Sequence, residues 1–295
     1  MEHCEVPQGA GYAPQPLVAT VSTADALSIQ SSTVGVLLWA GLASTLHRVR
    51  RGEGALLAVN LSLIVHQGLS HPRGLAQVLV SVLAIGLMYA FNDLYDAPGD
   101  AHNPRKDRAL IATYLEHRRA CALSIFTLKI VTVALAIATL GAQASAAVAT
   151  VMLVNVVYST FLKGVPVADV VWCGLWGALY VAIVSASPLL LVLVGLMTAV
   201  CHLYQTVDDR LPDAANGIIT TAVRSAALSR SVLIALSLLL FITLRAPLGG
   251  AWALTALVPL ALFFVARNPR TGWLLTKVYF AVVWLYLLEM AHASG

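Results

Sequence analysis

Asn92-Asp93-Leu94-Tyr95-Asp96-Ala97-Pro98-Gly99-Asp100 follows directly on an apolar run, residues 74–91, that is long enough to span a bilayer. The carboxylates at 93, 96 and 100 are spaced i, i+3 and i+7, so a continuing helix stacks them on one face. Three like charges on one face repel each other, and beside a bilayer they are partly desolvated as well. At a helix C-terminus they also oppose the macrodipole, which favours acids at the other end. A cation has to offset that cost, and oxygen-only ligands at this density suit a hard divalent ion such as Mg²⁺. A solvated acidic helix end is the plainer reading of the same residues. The stretch runs on to Arg105, Lys106, Asp107 and Arg108, which places three cations beside the acids.

Working outward, the whole chain is apolar: 59% hydrophobic, 11% charged, with a mean hydropathy of +0.82. A soluble domain carries roughly twice that charge, about 25%. The composition therefore predicts an all-α fold, a polytopic membrane helical bundle built as one unit. Residues 1–31 read as a polar tail, 32–53 as an apolar segment with a basic loop, and 54–295 as the transmembrane domain. Residues 1–30 lack an apolar stretch behind a basic start, so no signal peptide is expected. Cys4, Cys121, Cys173 and Cys201 show no paired spacing and read as small packing residues. The net charge of +4 is no nucleic-acid signal in so apolar a chain, and no nucleic-acid partner is expected.

Apolar segments fall at 32–46, 55–70, 74–91, 118–142, 145–162, 166–186, 188–207, 227–244, 248–266 and 272–291. They predict nine core helices behind one N-terminal segment that either spans the membrane or lies in its interface. If the loop after Phe91 is cytoplasmic, fourteen Lys and Arg residues fall inside and only Arg73 and Arg245 outside. That is a strong positive-inside pattern. It places the chain as a multi-pass membrane protein with its acidic loops on the cytoplasmic side.

Seven of the nine aspartates lie in two places, 93, 96, 100 and 107 in the first and 208, 209 and 213 in the second. The second stretch also follows an apolar span and falls on the same side. Asp209 and Asp213 are i, i+4, again one helical face, although Pro212 between them can distort the turn. Two acid clusters at the same end of a bundle can face each other, hold two or three Mg²⁺ ions, and through them grip a diphosphate.

These residues carry a resemblance. Asn92-Asp93-x2-Asp96-x3-Asp100 resembles the NDxxDxxxD motif of the UbiA superfamily of intramembrane prenyltransferases. Asp209-x3-Asp213-x3-Gly217-x2-Thr220 is similar to that family's second motif, DxxxDxxxGxxT. Motif order, spacing and helix count fit the family over about residues 55–291. The resemblance implies a helical bundle with a lipid-facing lateral opening, a polar cap that holds a prenyl diphosphate through Mg²⁺, and an apolar core for the isoprenoid tail. By position, it makes Asn92, Asp93, Asp96 and Asp100 ligands of a first metal and Asp209 and Asp213 ligands of a second. Asp93, Asp96, Asp209 and Asp213 are then the expected catalytic set.

Ionising an allylic carbon–oxygen bond leaves a carbocation and a multiply charged diphosphate, which metal ions and neighbouring cations stabilise most in the transition state. Lys106, Arg108 and Lys163 are the candidate diphosphate contacts. Lys163 closes the stretch Tyr158-Ser-Thr-Phe-Leu-Lys163, which resembles a Tyr/Lys stretch of the family; positive-inside anchoring explains the same cations without a ligand. Tyr158 can shield a carbocation with its ring, as can Tyr204, or simply pack. Asp169 is a substrate-binding candidate because an unpaired acid in hydrocarbon is costly, unless it reaches water. Lys129, inside a span, either pairs with an acid or snorkels. His202 and Gln205, about one turn before the second motif, are expected to line an acceptor pocket; a packing histidine is the plainer alternative for His202.

The expected activity is Mg²⁺-dependent transfer of an isoprenyl group from a prenyl diphosphate to a small aromatic acceptor, in a membrane-lipid setting. Alternatives within the fold are phosphoribosyl transfer from PRPP to a polyprenyl phosphate and terpene cyclisation. The stretch Tyr158 to Asp169 and the spacing Asp100-x3-Pro104-x-Lys106 resemble the phosphoribosyl branch. The Asp-rich second motif, Asp209-Arg-Leu-Pro-Asp213, resembles ordinary prenyltransferases. A transporter is the remote alternative, since it would place acids near the midplane of broken helices.

Overall fold

In the computed structural model of the chain the described residues are 44–46, 48, 49, 53–68, 72–101 and 106–293. The expected tail, 1–31, and most of the 32–46 segment lie outside them; residues 44–46, 48 and 49 are helical. Every described secondary-structure element is helical. They are α1 (Ala55–Gln67), α2 (Pro72–Asp100), α3 (Arg108–Glu116), α4 (Arg118–Thr139), α5 (Ala142–Val157), α6 (Ala168–Val181) and α7 (Pro188–Asp208). Then come two short helices, α8 (Arg210–Ala215) and α9 (Thr221–Arg224), followed by α10 (Ala226–Leu248), α11 (Gly250–Ala253), α12 (Val258–Val265) and α13 (Pro269–Ala293). Six helical stretches, built on α2, α4, α5, α7, α10 and α13, are long and apolar enough to cross a membrane. Three shorter apolar stretches, 55–67, 168–181 and 250–265, occupy the remaining expected positions.

These helices are apolar nearly all round, as elements surrounded by lipid and by each other must be. Leu123, Ile130 and Ile137 of α4 are among the most exposed large side chains, and they mark a lipid-facing stripe. Between helices the hydrophobic effect gives little in lipid, so close contact has to do the work. At the α6–α7 contact, a Cβ on Gly174 would lie 3.1 Å from the Gly195 carbonyl oxygen, and one on Gly195 would lie 3.1 Å from that of Gly174. Polar anchors add to this: Tyr180 donates to the Ser81 carbonyl at 2.8 Å and Trp172 to the Val154 carbonyl at 2.9 Å. Lys129 neither pairs with an acid nor snorkels. It is buried, donates to Asn155 at 2.8 Å, and lies 4.4 Å over the ring of Phe91.

Three elements depart from the expected segments. The first is α2, which does not stop at Phe91. Its 29 residues reach about 43 Å at 1.5 Å per residue, against a hydrocarbon core of about 30 Å, so roughly its last eight residues stand beyond the core. Pro98 sits in the last turn, where it cannot donate to the Leu94 carbonyl four residues back, so the ladder loses a bond close to the helix end. Secondly, residues 108–116, read as loop, form α3, capped by Asp107, which accepts from the backbone of Ala109 and Leu110 at 3.0 and 3.1 Å. Leu110, Ile111 and Tyr114 are buried in a cluster with Phe91 and Leu94 under the first acidic motif. Thirdly, the 248–266 segment is three pieces, α11, a 3₁₀ turn Leu254–Leu257, and α12. Pro259, at the start of α12, lacks a donor and crowds the carbonyl four residues back, which breaks the α-helical ladder there.

Candidate active site

The end of α2 brings its polar residues out on a narrow arc. Taking Asn92 as zero, about 100° per residue puts Asp96 at roughly 40°, Asp100 at roughly 80° and Asp93 at roughly 100°. Asn92, Asp96 and Asp100 line a cavity of about 870 Å³. Asp93 does not. It turns to Arg48, which it pairs with directly, and Arg48 also binds Glu53 at 2.8 Å. Asp93, expected as a metal ligand, lies at the edge of the arc and is held in a buried ion pair with Arg48.

Asp209 and Asp213 reach the same cavity from the end of α7 and from α8. Pro212 does not disturb them: it falls in the first turn of α8, where a missing N–H is tolerated, and Asp213 still donates to the Asp209 carbonyl at 2.9 Å. Gly217 follows with φ +70°, a left-handed turn that glycine adopts freely, and Thr220 caps α9. The two motifs touch: a Cβ on Gly99 would lie 3.2 Å from the Asn216 amide nitrogen.

Between them lies Lys163. The five residues Tyr158–Leu162 form a π-helical turn, a distortion that re-aims side chains and is frequent at functional sites. Beyond it the Lys163 Nζ sits 2.5 Å from Asp96, which Asn92 also donates to at 3.2 Å; Ser159 in turn donates to Asn92 at 3.2 Å. Lys106 pairs with Asp100 at 2.8 Å. Burial works against the charge of Lys163, yet Asp96, with help from Asp213 and Asp100, holds its pKa above the ordinary lysine value. Burial likewise pushes the Asp213 carboxyl up to about 7; Lys163 opposes the rise and Asp209 and Asp96 add to it. No group of three or more His, Cys, Asp or Glu side chains is gathered at metal-binding distance among the described residues. The donor set still suits a hard cation: carboxylate and amide oxygens from two motifs border one cavity, and two lysine ammonium groups hold the places of positive charge there.

Below the acidic cap the cavity is walled by stripes at helical spacing. Val194, Thr198, His202 and Gln205 come from α7, Phe280 and Trp284 from α13, and Ala55, Val59 and Ser62 from α1. The Tyr158 hydroxyl and His202 Nε2 are 3.2 Å apart, and Trp284 donates to Ser62 at 2.9 Å. Tyr204 is fully buried and donates to the Pro259 carbonyl, so it packs and does not face the cavity.

Two expected contacts are not brought to the cavity. Arg108 is exposed at the start of α3. Asp169 is wholly buried and accepts from the Thr221 backbone at 2.8 Å, from the Thr221 hydroxyl, and from Val170 at 2.9 Å. Thr221 also accepts from Val167 N–H at 2.7 Å, holding Val167 at φ +70°, so Asp169 and Thr221 together pin the loop after Lys163 to the loop after Gly217. Sequence reading missed Arg48, Ser159, Asn216 and Lys277, all of which line the cavity. The available signals were a cluster of arginines at 48, 50 and 51 and a lysine inside an apolar span.

Comparison with solved structures finds two of a UbiA homolog from Archaeoglobus fulgidus. The one bound to GPP and Mg²⁺ superposes with a TM-score of 0.62 at 17% identity, covering 82% of this chain and 96% of that one. The one bound to DMAPP and Mg²⁺ gives 0.59 at 18% identity with the same coverage. Comparison with curated protein sequences gives no match. The sequence model of the UbiA prenyltransferase family matches residues 55–279, taking in both acidic motifs and the helices that carry them. The chain therefore belongs to the UbiA prenyltransferase family.

Proposed function

We propose that the protein transfers an isoprenyl group from a prenyl diphosphate to a small aromatic acceptor, inside the membrane and with Mg²⁺. The observation that carries this reading is the convergence of Asn92, Asp96, Asp100, Asp209 and Asp213 on one end of a cavity whose other walls are largely apolar. The A. fulgidus homolog, of the same fold, binds GPP or DMAPP with Mg²⁺. The volume, about 870 Å³, is ample for a prenyl chain with a small partner beside it.

In this reading the five residues hold the metal ions, which when bound supply charge that stabilises the departing diphosphate. Lys163 and Lys106 stand next to the diphosphate and share that task. Arg48 holds Asp93 and the end of α2 in place, while Ser159 orients Asn92. The isoprenoid lies along Val194, Phe280 and Trp284, where water is excluded from the allylic cation. Leu285, 62% exposed yet part of the cavity wall, supports an opening to lipid between α1 and α13. The distribution of basic residues supports a cytoplasmic position for both motifs.

Mass spectrometry of products, after purified protein is given prenyl diphosphates of different lengths with a panel of phenolic acceptors, tests the reading. A Mg²⁺-dependent prenylated acceptor is expected. In parallel reactions, a phosphoribosylated lipid formed from PRPP and a polyprenyl phosphate, or a cyclic terpene made without an acceptor, would replace it.

A further inference from the structure

The loop after Lys163 holds a backbone that its own residues do not favour. Val167 stands at φ +70° and ψ −44°, and among the described residues it is the one non-glycine with a positive φ. Branching at Cβ makes that region costly for valine. Its side chain is 36% exposed, so packing does not hold it there. The hold is polar. Val167 N–H donates to the Thr221 hydroxyl at 2.7 Å, and that hydroxyl donates in turn to Asp169. Asp169 also accepts from the Thr221 N–H at 2.8 Å and from the Val170 N–H at 2.9 Å. Both Asp169 and Thr221 are wholly buried, where an unmade hydrogen bond is expensive.

The Thr221 hydroxyl has one proton, which goes to the carboxylate, and a free lone pair, which receives Val167. It therefore ties two loops together, and each of them carries a residue of the site. On one side, Lys163 stands one turn before Val167, and the turns that follow it are bonded one to the next. Val165 donates to the Leu162 carbonyl and Asp169 to the Val165 carbonyl, both at 3.0 Å. On the other side, Ile218 donates to the Asp213 carbonyl at 2.9 Å, and Gly217 makes the left-handed turn that leads on to Thr221. The loops also pack, since a Cβ on Gly164 would lie 3.8 Å from the Ile219 backbone nitrogen. Lys163 and Asp213 line the cavity, close enough that each charge acts on the other. Neither Asp169 nor Thr221 reaches it.

We infer that Asp169 and Thr221 are positioning residues for the diphosphate: their latch sets Lys163 of one loop opposite Asp213 of the other before substrate arrives. This rests on the transfer reading given above, which makes those two residues the diphosphate and metal contacts. The latch fixes the alignment during folding, so that binding energy is not spent on ordering the loops. The left-handed backbone at Val167 is the strain it holds for that alignment.

Binding of a prenyl thiodiphosphate with Mg²⁺ to the full chain in nanodiscs tests this, with hydrogen exchange of the ligand-free protein measured alongside. Thr221→Val keeps the shape and removes the hydroxyl, whereas Thr221→Ser keeps the hydroxyl. Thr221→Val is expected to bind about tenfold weaker or worse, the range for a lost hydrogen bond to a charged partner, and Thr221→Ser to stay within about twofold of wild type. In Thr221→Val the amides of residues 164–169 and 217–221 should lose protection together, while the spans keep theirs. Val167→Gly keeps the N–H donor and removes the backbone strain, so it holds the fold when the hydroxyl is lost. The same weakening by Thr221→Val is expected in that background. Unchanged affinity in Thr221→Val, weakening that vanishes with Val167→Gly, or loss of protection in one loop alone overturns the proposal. Protection lost equally through the spans does so too, since it marks the pair as a general prop of the fold. No binding by wild type would refute the transfer reading instead, and the exchange of the two loops, taken without donor, still decides whether Asp169 and Thr221 tie them.

Discussion

Arg48 and Asp93 form the contact with the largest consequence for a single residue. Both are mostly buried, with side-chain exposures of 11% and 14%, and removing one partner of such a pair costs about 3–5 kcal/mol because the other charge is stranded. Arg48→Met should therefore lower thermal stability sharply, since it strands Glu53 as well as Asp93, and Arg48→Met combined with Asp93→Leu and Glu53→Gln should recover much of it in a thermal-shift assay. Asp213 makes a second prediction. Its carboxyl, raised to about 7, keeps a proton below that pH and must lose it to accept a metal ion. Apparent Mg²⁺ affinity should accordingly rise with pH by up to about tenfold per unit as pH approaches 7, and level off above it. Calorimetric titration of Asp213→Asn should show that dependence flattened. Neither effect was legible in the sequence: Arg48 and Asp93 are 45 residues apart, and an acid's proton affinity depends on which other charges fold against it. Asp169 was misread for the same reason, since the Thr221 that takes up its carboxylate lies 52 residues on.

Among elements, the α6–α7 contact allows the tightest check. A Cβ on Gly177 would fall 2.6 Å from Thr198 Cβ and 2.2 Å from its Oγ1, closer than any rotamer of Thr198 can relieve. Gly177→Ala should force the helices apart and destabilise the fold by about 1–3 kcal/mol. Because Thr198 lines the cavity, donor binding should weaken in parallel. The long spans were legible because their apolar runs reach bilayer length. What patterning could not give was how they end. Continuation of α2 to Asp100 and the π-helical turn before Lys163 carry no local signal in the residues, whereas the break at Pro259 follows from the proline itself. The amphipathic α3 was hidden by its length, nine residues, too short to stand out beside spans of twenty or more.

For the molecule as a whole, the two acidic motifs were legible as a pair, since most of the chain's aspartate lies in them and basic residues put them on one side. Their meeting across Gly99 and Asn216, with Lys163 between, is a property of the packed bundle. Lys277 stayed hidden because a lysine within a span reads as an anchor until the helix opposite is known. The central claim is that the two motifs form one metal-dependent diphosphate clamp. Release of labelled diphosphate from a prenyl diphosphate, measured for wild type, Asp96→Asn and Asp213→Asn with Mg²⁺ and with chelator, tests it most directly. Release is expected from wild type only with Mg²⁺, with a loss of at least about a hundredfold in each variant. Undiminished release in either variant, or release that survives chelation, would contradict it.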